Sequence, residues 1–133
     1  MFIDFFQIFG FQNYYSNEKV GLNRGMITTS TYNHYRDKEK FDSFIFGSSK
    51  SKAFKCKNWI NYLDENSKAF HFDALAEGIW GISKKIEYID EIGDTIKNAL
   101  IVIDRSGLRI TYPGNGHLFI SMPCVSKSSE FNY

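Results

Sequence analysis

Between residues 79 and 103 the sequence permits very few structures. Ile79, Ile82, Ile86, Ile89 and Ile92 recur every three or four residues, while Lys84, Lys85, Glu87, Asp90 and Glu91 fill the opposite face. That spacing is the signature of an amphipathic helix. Gly93 stops it, and Ala99-Leu-Ile-Val-Ile103 follows as an unbroken apolar run. Such a run suits a strand buried on both faces, as in a parallel sheet.

The preceding stretch repeats the alternation. Phe41-Asp-Ser-Phe-Ile-Phe46 is rich in β-formers and ends at Gly47. Ser48, Ser49 and Ser51 then offer helix caps, and Phe54, Trp59, Ile60 and Leu63 mark a helix to about Asp64. Ala69-Phe-His-Phe-Asp-Ala-Leu75 is a second strand candidate. Strands are expected near 42–46, 70–75 and 99–103, with helices near 51–64 and 79–92. Strand, helix, strand, helix, strand implies βαβ units with right-handed crossovers. The expected class is therefore α/β, with a parallel three-layer sheet. Residues 12–40 are polar and Tyr-rich, with one short helix near Thr28 to Tyr35. The expected division is an irregular N-terminal extension over 1–40, made of a short helix and loops, and an α/β domain over 41–133. Past Asp104, Gly107, Pro113, Gly114 and Gly116 mark turns, and His117-Leu-Phe-Ile-Ser-Met122 reads as a further strand. The sheet is thus expected to be incomplete, and its open apolar edge to support self-association.

Composition narrows the function classes. One domain fits 133 residues, and 43% apolar residues can supply a core. A net charge of +1 argues against nucleic acid as a partner. The cluster Lys50, Lys52, Lys55 and Lys57 reads as a solvated helix face. Cys56 and Cys124 form no CxxC or Cys/His ligand spacing, so neither a metal site nor a disulfide framework is signalled. A single bridge between them stays compatible with the sequence, which leaves the redox compartment open. No cofactor is implied. The apolar start, Met1 to Phe11, is interrupted by Asp4 and Gln7 and is shorter than the ~20 residues a membrane helix needs. It has no basic n-region or small-residue cleavage site. Two readings stand: a short docking helix, or the stub of a membrane anchor whose beginning is missing.

In open parallel sheets, ligands bind beyond the carboxyl ends of the strands. Three segments fall there: Gly47-Ser-Ser-Lys-Ser51, Ala76-Glu-Gly78 and Asp104-Arg-Ser106. A serine between a strand end and a helix start projects into a crevice, and free amides there face any oxyanion that forms. Simple capping explains Ser48 and Ser49 equally well. The phosphate-loop motif is not met, because Ser49 and Phe44 stand where it requires glycines, and only the generic anion preference of a helix start remains for a phosphate or nucleotide reading.

Phe44-Ile-Phe-Gly-Ser-Ser-Lys50 resembles the first block of SGNH/GDSL hydrolases. The match is to the Gly-Ser-Ser variant of membrane-associated relatives that move acyl groups on cell-envelope polymers. The resemblance covers roughly residues 41–106 and implies a partial SGNH-like, flavodoxin-like domain. It makes Ser49 the catalytic nucleophile and the amides of Ser49 and Gly78 the oxyanion donors. It also implies ester hydrolysis or O-acyl transfer on an acyl-ester or glycan-type substrate, and a cell-envelope or extracytoplasmic location. This sequence departs from the pattern in three places. Asp73-Ala-Leu-Ala-Glu-Gly78 replaces the second block's Asn-x-Gly-like turn. Asp104 stands where the third block supplies Asn. No histidine follows an Asp by three: Thr31 precedes His34, Lys68 precedes His71, and Gly114 precedes His117. His71 reads as a packing residue near the start of its strand. The chain alone is therefore expected to lack esterase activity, and the alternative is a non-catalytic α/β binding module.

Overall fold

The computed structural model of the chain describes residues 22–127. The apolar Met1–Phe11 segment and the tail beyond 127 lie outside the described residues.

Three five-residue strands, β1 (Ser43–Gly47), β2 (Ala69–Asp73) and β3 (Asn98–Val102), form a parallel sheet in the order β2-β1-β3. Phe44 pairs with Phe70 on one side and Ala99 on the other, and Phe46 with Phe72 and Ile101. All five residues of β1 are buried. The α/β class and the parallel order of the three strands agree with the sequence expectation.

One face of the sheet carries α1 (Arg24–Glu39) and α3 (Ile79–Glu91). Here Phe44, Phe46 and Phe72 pack with Tyr32 of α1 and with Ile82, Tyr88 and Ile89 of α3. The Tyr32 ring lies 5.3 Å from both Phe70 and Phe72. Fully burying an aliphatic side chain contributes about 1.5–3 kcal/mol, and Ile82 and Ile89 reach that limit. Ile86 and Ile92 pack only partly, and Ile79 stays exposed.

α1 is twice the length expected. It starts at Asn23, whose side chain accepts from the Met26 amide, and ends at Lys40 in the left-handed region. Its threonines turn their hydroxyls back onto the helix, Thr29 to Gly25 O and Thr31 to Ile27 O. The apolar contact that seats it is mainly Tyr32, so no apolar period advertises the helix. Although this segment reads from sequence as an extension, it shares the domain's core.

The expected helix over 51–64 is broken. A 3₁₀ turn (Ser49–Ala53), a short helix α2 (Cys56–Trp59) and a second 3₁₀ turn (Ile60–Tyr62) replace it. Phe54 and Trp59 are five residues apart, which puts them on different helical faces, and Phe54 is exposed. This segment packs on the other face of the sheet, against β2.

Two further expectations are corrected. β3 is an edge strand, not one buried on both faces; its burial alternates, and Ile101 is 46% exposed. His117–Met122 forms no strand. It is a turn closed by Phe119 N–H on Gly116 O, and the Asn23 amide donates to His117 O and Ile120 O. Two short helices complete the described chain: α4 (Arg105–Arg109) and α5 (Pro123–Ser126), the latter packed on α3 through Val125.

Candidate functional site

The carboxyl ends of β1, β2 and β3 share one edge of the sheet, and the three expected segments follow them there. Gly47 ends β1 at φ +150°, and a side chain at this position would place Cβ 2.4 Å from the Val102 carbonyl oxygen. Only glycine allows the chain to leave the sheet here. Ser48 caps the 3₁₀ turn, accepting from the Lys50 amide at 3.4 Å. Ser49 opens that turn and is exposed. Ser51 is fully buried. The three serines therefore divide into a cap, an open hydroxyl and an internal strut.

Ser51 is held from two sides. Its hydroxyl donates to Ser48 O at 2.7 Å, and its oxygen lies 2.8 Å from His71 Nε2. With the hydroxyl proton on Ser48 O, the imidazole Nε2–H donates to the Ser51 oxygen. His71 is the third residue of β2, opposite Ile45, so the ring reaches Ser51 from mid-strand rather than from the strand's start. Burial pushes the imidazole pKa down; Asp73 opposes this, and Arg24, Lys55 and Lys85 add to it. A half-buried imidazole turned onto the buried Ser51 hydroxyl is a structural contact and does not activate Ser49. The serine–histidine spacing of 20 residues was visible in the sequence, but nothing in the pattern showed that the 3₁₀ turn folds back over the sheet.

Next to this loop lies an ionic group that sequence reasoning missed. Lys85 Nζ sits 2.6 Å from Glu77 Oε1, with side chains 3% and 4% exposed. It also donates to Phe72 O at 3.0 Å and lies 4.7 Å above the Phe72 ring. Burial pushes the Glu77 carboxyl up and the Lys85 ammonium down, each partly held in its charged form by the other. Glu77 Oε2 has no partner among the described residues. Beside the pair, fully buried Asp73 accepts from Arg24 Nε at 3.0 and 3.1 Å. The signal was present: Lys85 lies three residues after Ile82 and four before Ile89, inside the isoleucine stripe.

Gly78 caps α3 and is buried. A Cβ there would fall 2.3 Å from Ile110 Cβ and 2.7 Å from Gly107 O, so the glycine admits the 107–110 segment. Asp104 caps α4 through the Gly107 amide at 2.7 Å and is ion-paired with Lys50. That pairing, first, and the Gly107 amide lower the Asp104 pKa. The carboxylate thus ties the end of β3 to the loop that carries Ser49.

His117 is exposed in its turn. Cys56 and Cys124 are free thiols. Among the described residues no cluster of three or more His, Cys, Asp or Glu side chains could hold a metal, and no helix is long and apolar enough to cross a membrane. A shallow groove of about 470 Å³, lined by Ile86, Glu87, Asp90, Asp94, Thr95 and Ile96, lies by the entry to β3, at the opposite edge of the sheet from Ser49. No family model, curated protein or solved structure matches the sequence.

Proposed function

We propose that the chain is the nucleophile-bearing portion of a serine esterase or O-acyltransferase of the SGNH/GDSL kind, acting on acyl esters, and that alone it does not turn over. One observation carries this reading. Of the serines at the end of the central strand, Ser49 is the open one, and it directly follows the turn that only Gly47 can make. Ser49 would attack the acyl carbon, and its own amide would donate to the oxyanion. Gly78 is buried against the 107–110 segment, so its amide would serve as the second donor only with that segment opened. A serine hydroxyl without a base is a poor nucleophile at neutral pH, and the nearby imidazole, His71, is turned toward Ser51. An acyl-ester or glycan-type substrate and a cell-envelope setting belong to the same proposal.

The inward turn of His71 also favours a second reading, a non-catalytic α/β module. A fluorophosphonate probe with peptide mapping separates the two. Without a base, only the exposed hydroxyl and its own amide favour attack on a reactive phosphonate, so labelling is slow. Slow labelling confined to Ser49 and absent in Ser49→Ala is expected. No labelling, or labelling spread over exposed serines, supports the binding module.

A further inference from the structure

Each edge of the sheet meets its surroundings differently. At β2, Asp73 O, at the strand's carboxyl end, accepts from Thr28 of α1 at 2.8 Å, and both α1 and α2 pack on the strand. At β3 the substantial packing among the described residues is with β1. Asn98 N–H is bonded to Asp42 O, on the β1 side. Main-chain groups alternate sides along a strand, so Ala99 and Ile101 turn their amides and carbonyls to the free edge. Their side chains are also exposed, Ile101 by 46%. Leu108, in the helix that follows, is 56% exposed.

We infer that the β3 edge binds a second copy of this chain, strand antiparallel to strand across a two-fold axis. The occupant follows from the strand's own pattern. With Leu100 on the axis facing its copy, Ala99 stands opposite Ile101 and Ile101 opposite Ala99. Those are the residues whose main-chain groups point outward, so each pair exchanges two hydrogen bonds, four in all. A small residue meets a large one on the face that carries α1 and α3, where both side chains are exposed. Asn98 to Ile103 carries no charge, so the pairing sets no like charges opposite each other. Lys97, which is ion-paired with Asp64 in the chain, and Asp104, paired with Lys50, flank the run at opposite ends. Antiparallel pairing brings opposite charges toward each other at both ends, whereas parallel pairing would set Lys97 beside Lys97. The contact is isologous: it uses the same β3 edge on both copies and so closes at two. This inference is independent of any role for Ser49.

The test is the mass of the full 133-residue chain by light scattering over a concentration series, beside Ile101→Lys and Leu108→Ser. The expected mass is twice 15.4 kDa for the wild type and for Leu108→Ser, and 15.4 kDa for Ile101→Lys. If Ile101→Lys fails to give a cooperative thermal melt, Ala99→Lys takes its place with the same expected mass. Amide exchange supplies a second readout: Ala99 and Ile101 should be protected in the wild type and lose protection on dilution to monomer. A wild type that is monomeric throughout, a charged edge variant that stays dimeric, open-ended assembly, or a dimer with unprotected Ala99 and Ile101 amides would each overturn the inference.

Discussion

Replacing Lys85 with Met should expose how the base of α3 is held. The side chain is 3% exposed, and its ammonium is the cationic partner of Glu77, itself 4% exposed. Met keeps the stem's packing beside Phe72 and removes only the charge and its donors. Breaking a buried pair by deleting one member costs about 3–5 kcal/mol, because the remaining charge has lost its partner. A domain of this size has about 5–15 kcal/mol in total, so the variant should lose a large fraction of its stability. With a urea m-value of about 2 kcal/mol/M, the midpoint should fall by about 1.5–2.5 M. Trp80, in the first turn of α3, supplies the fluorescence signal. The loss should depend on pH. Burial already raises the Glu77 pKa above its ordinary 4.5, and without Lys85 the rise is larger. The native state then binds the proton more tightly than the unfolded chain. Stability is therefore lowest above the folded pKa and recovers as pH falls through it toward 4.5. The double variant Glu77→Met/Lys85→Met should regain most of the loss, since an apolar pair of similar volume is neutral to about 1–4 kcal/mol stabilising. A loss under about 1 kcal/mol, or one unchanged from about pH 8 to about pH 5, would refute the reasoning.

Three other substitutions test separate parts of the structure. Gly47→Ala should cost more than about 3 kcal/mol or abolish folding in a thermal melt, because its Cβ meets the Val102 carbonyl oxygen at 2.4 Å and φ is +150°. Tyr32→Phe should cost about 1.5–3 kcal/mol in urea, the value of a hydrogen bond to a charged group, since it removes the 2.6 Å bond to Asp94 Oδ2. His71→Phe should flatten the acid limb of the stability curve. The native imidazole pKa is depressed by burial, so the wild type loses stability as pH falls below the ordinary value of 6.5, where the unfolded chain binds the proton first.

The parallel sheet could be read from sequence because its apolar runs and the isoleucine period are strong, local signals. Edge position could not. Ala99–Ile103 has the composition of a central strand, and only the missing neighbour makes it an edge. The break in the 51–64 segment was legible in the five-residue step from Phe54 to Trp59, which a looser count of apolar residues passes over. The charge of Lys85 points to solvent, although its spacing puts it on the buried stripe; its partner, Glu77, lies in a loop with no period to reveal it. At the candidate site, Ser49 and the Gly47 turn follow from a glycine between strand and cap. The inward pairing of Ser51 with His71 depends on a fold-back that no local spacing encodes.

The most direct test of the proposed site is p-nitrophenyl acetate hydrolysis by the full chain and by Ser49→Ala. Absence of a general base typically forfeits a factor of ~10²–10⁴, and absence of an oxyanion donor another ~10²–10³. Both proteins should therefore run at the solvent rate. A wild-type rate well above background that vanishes in Ser49→Ala would contradict the account, since it requires a base beside Ser49 within this chain.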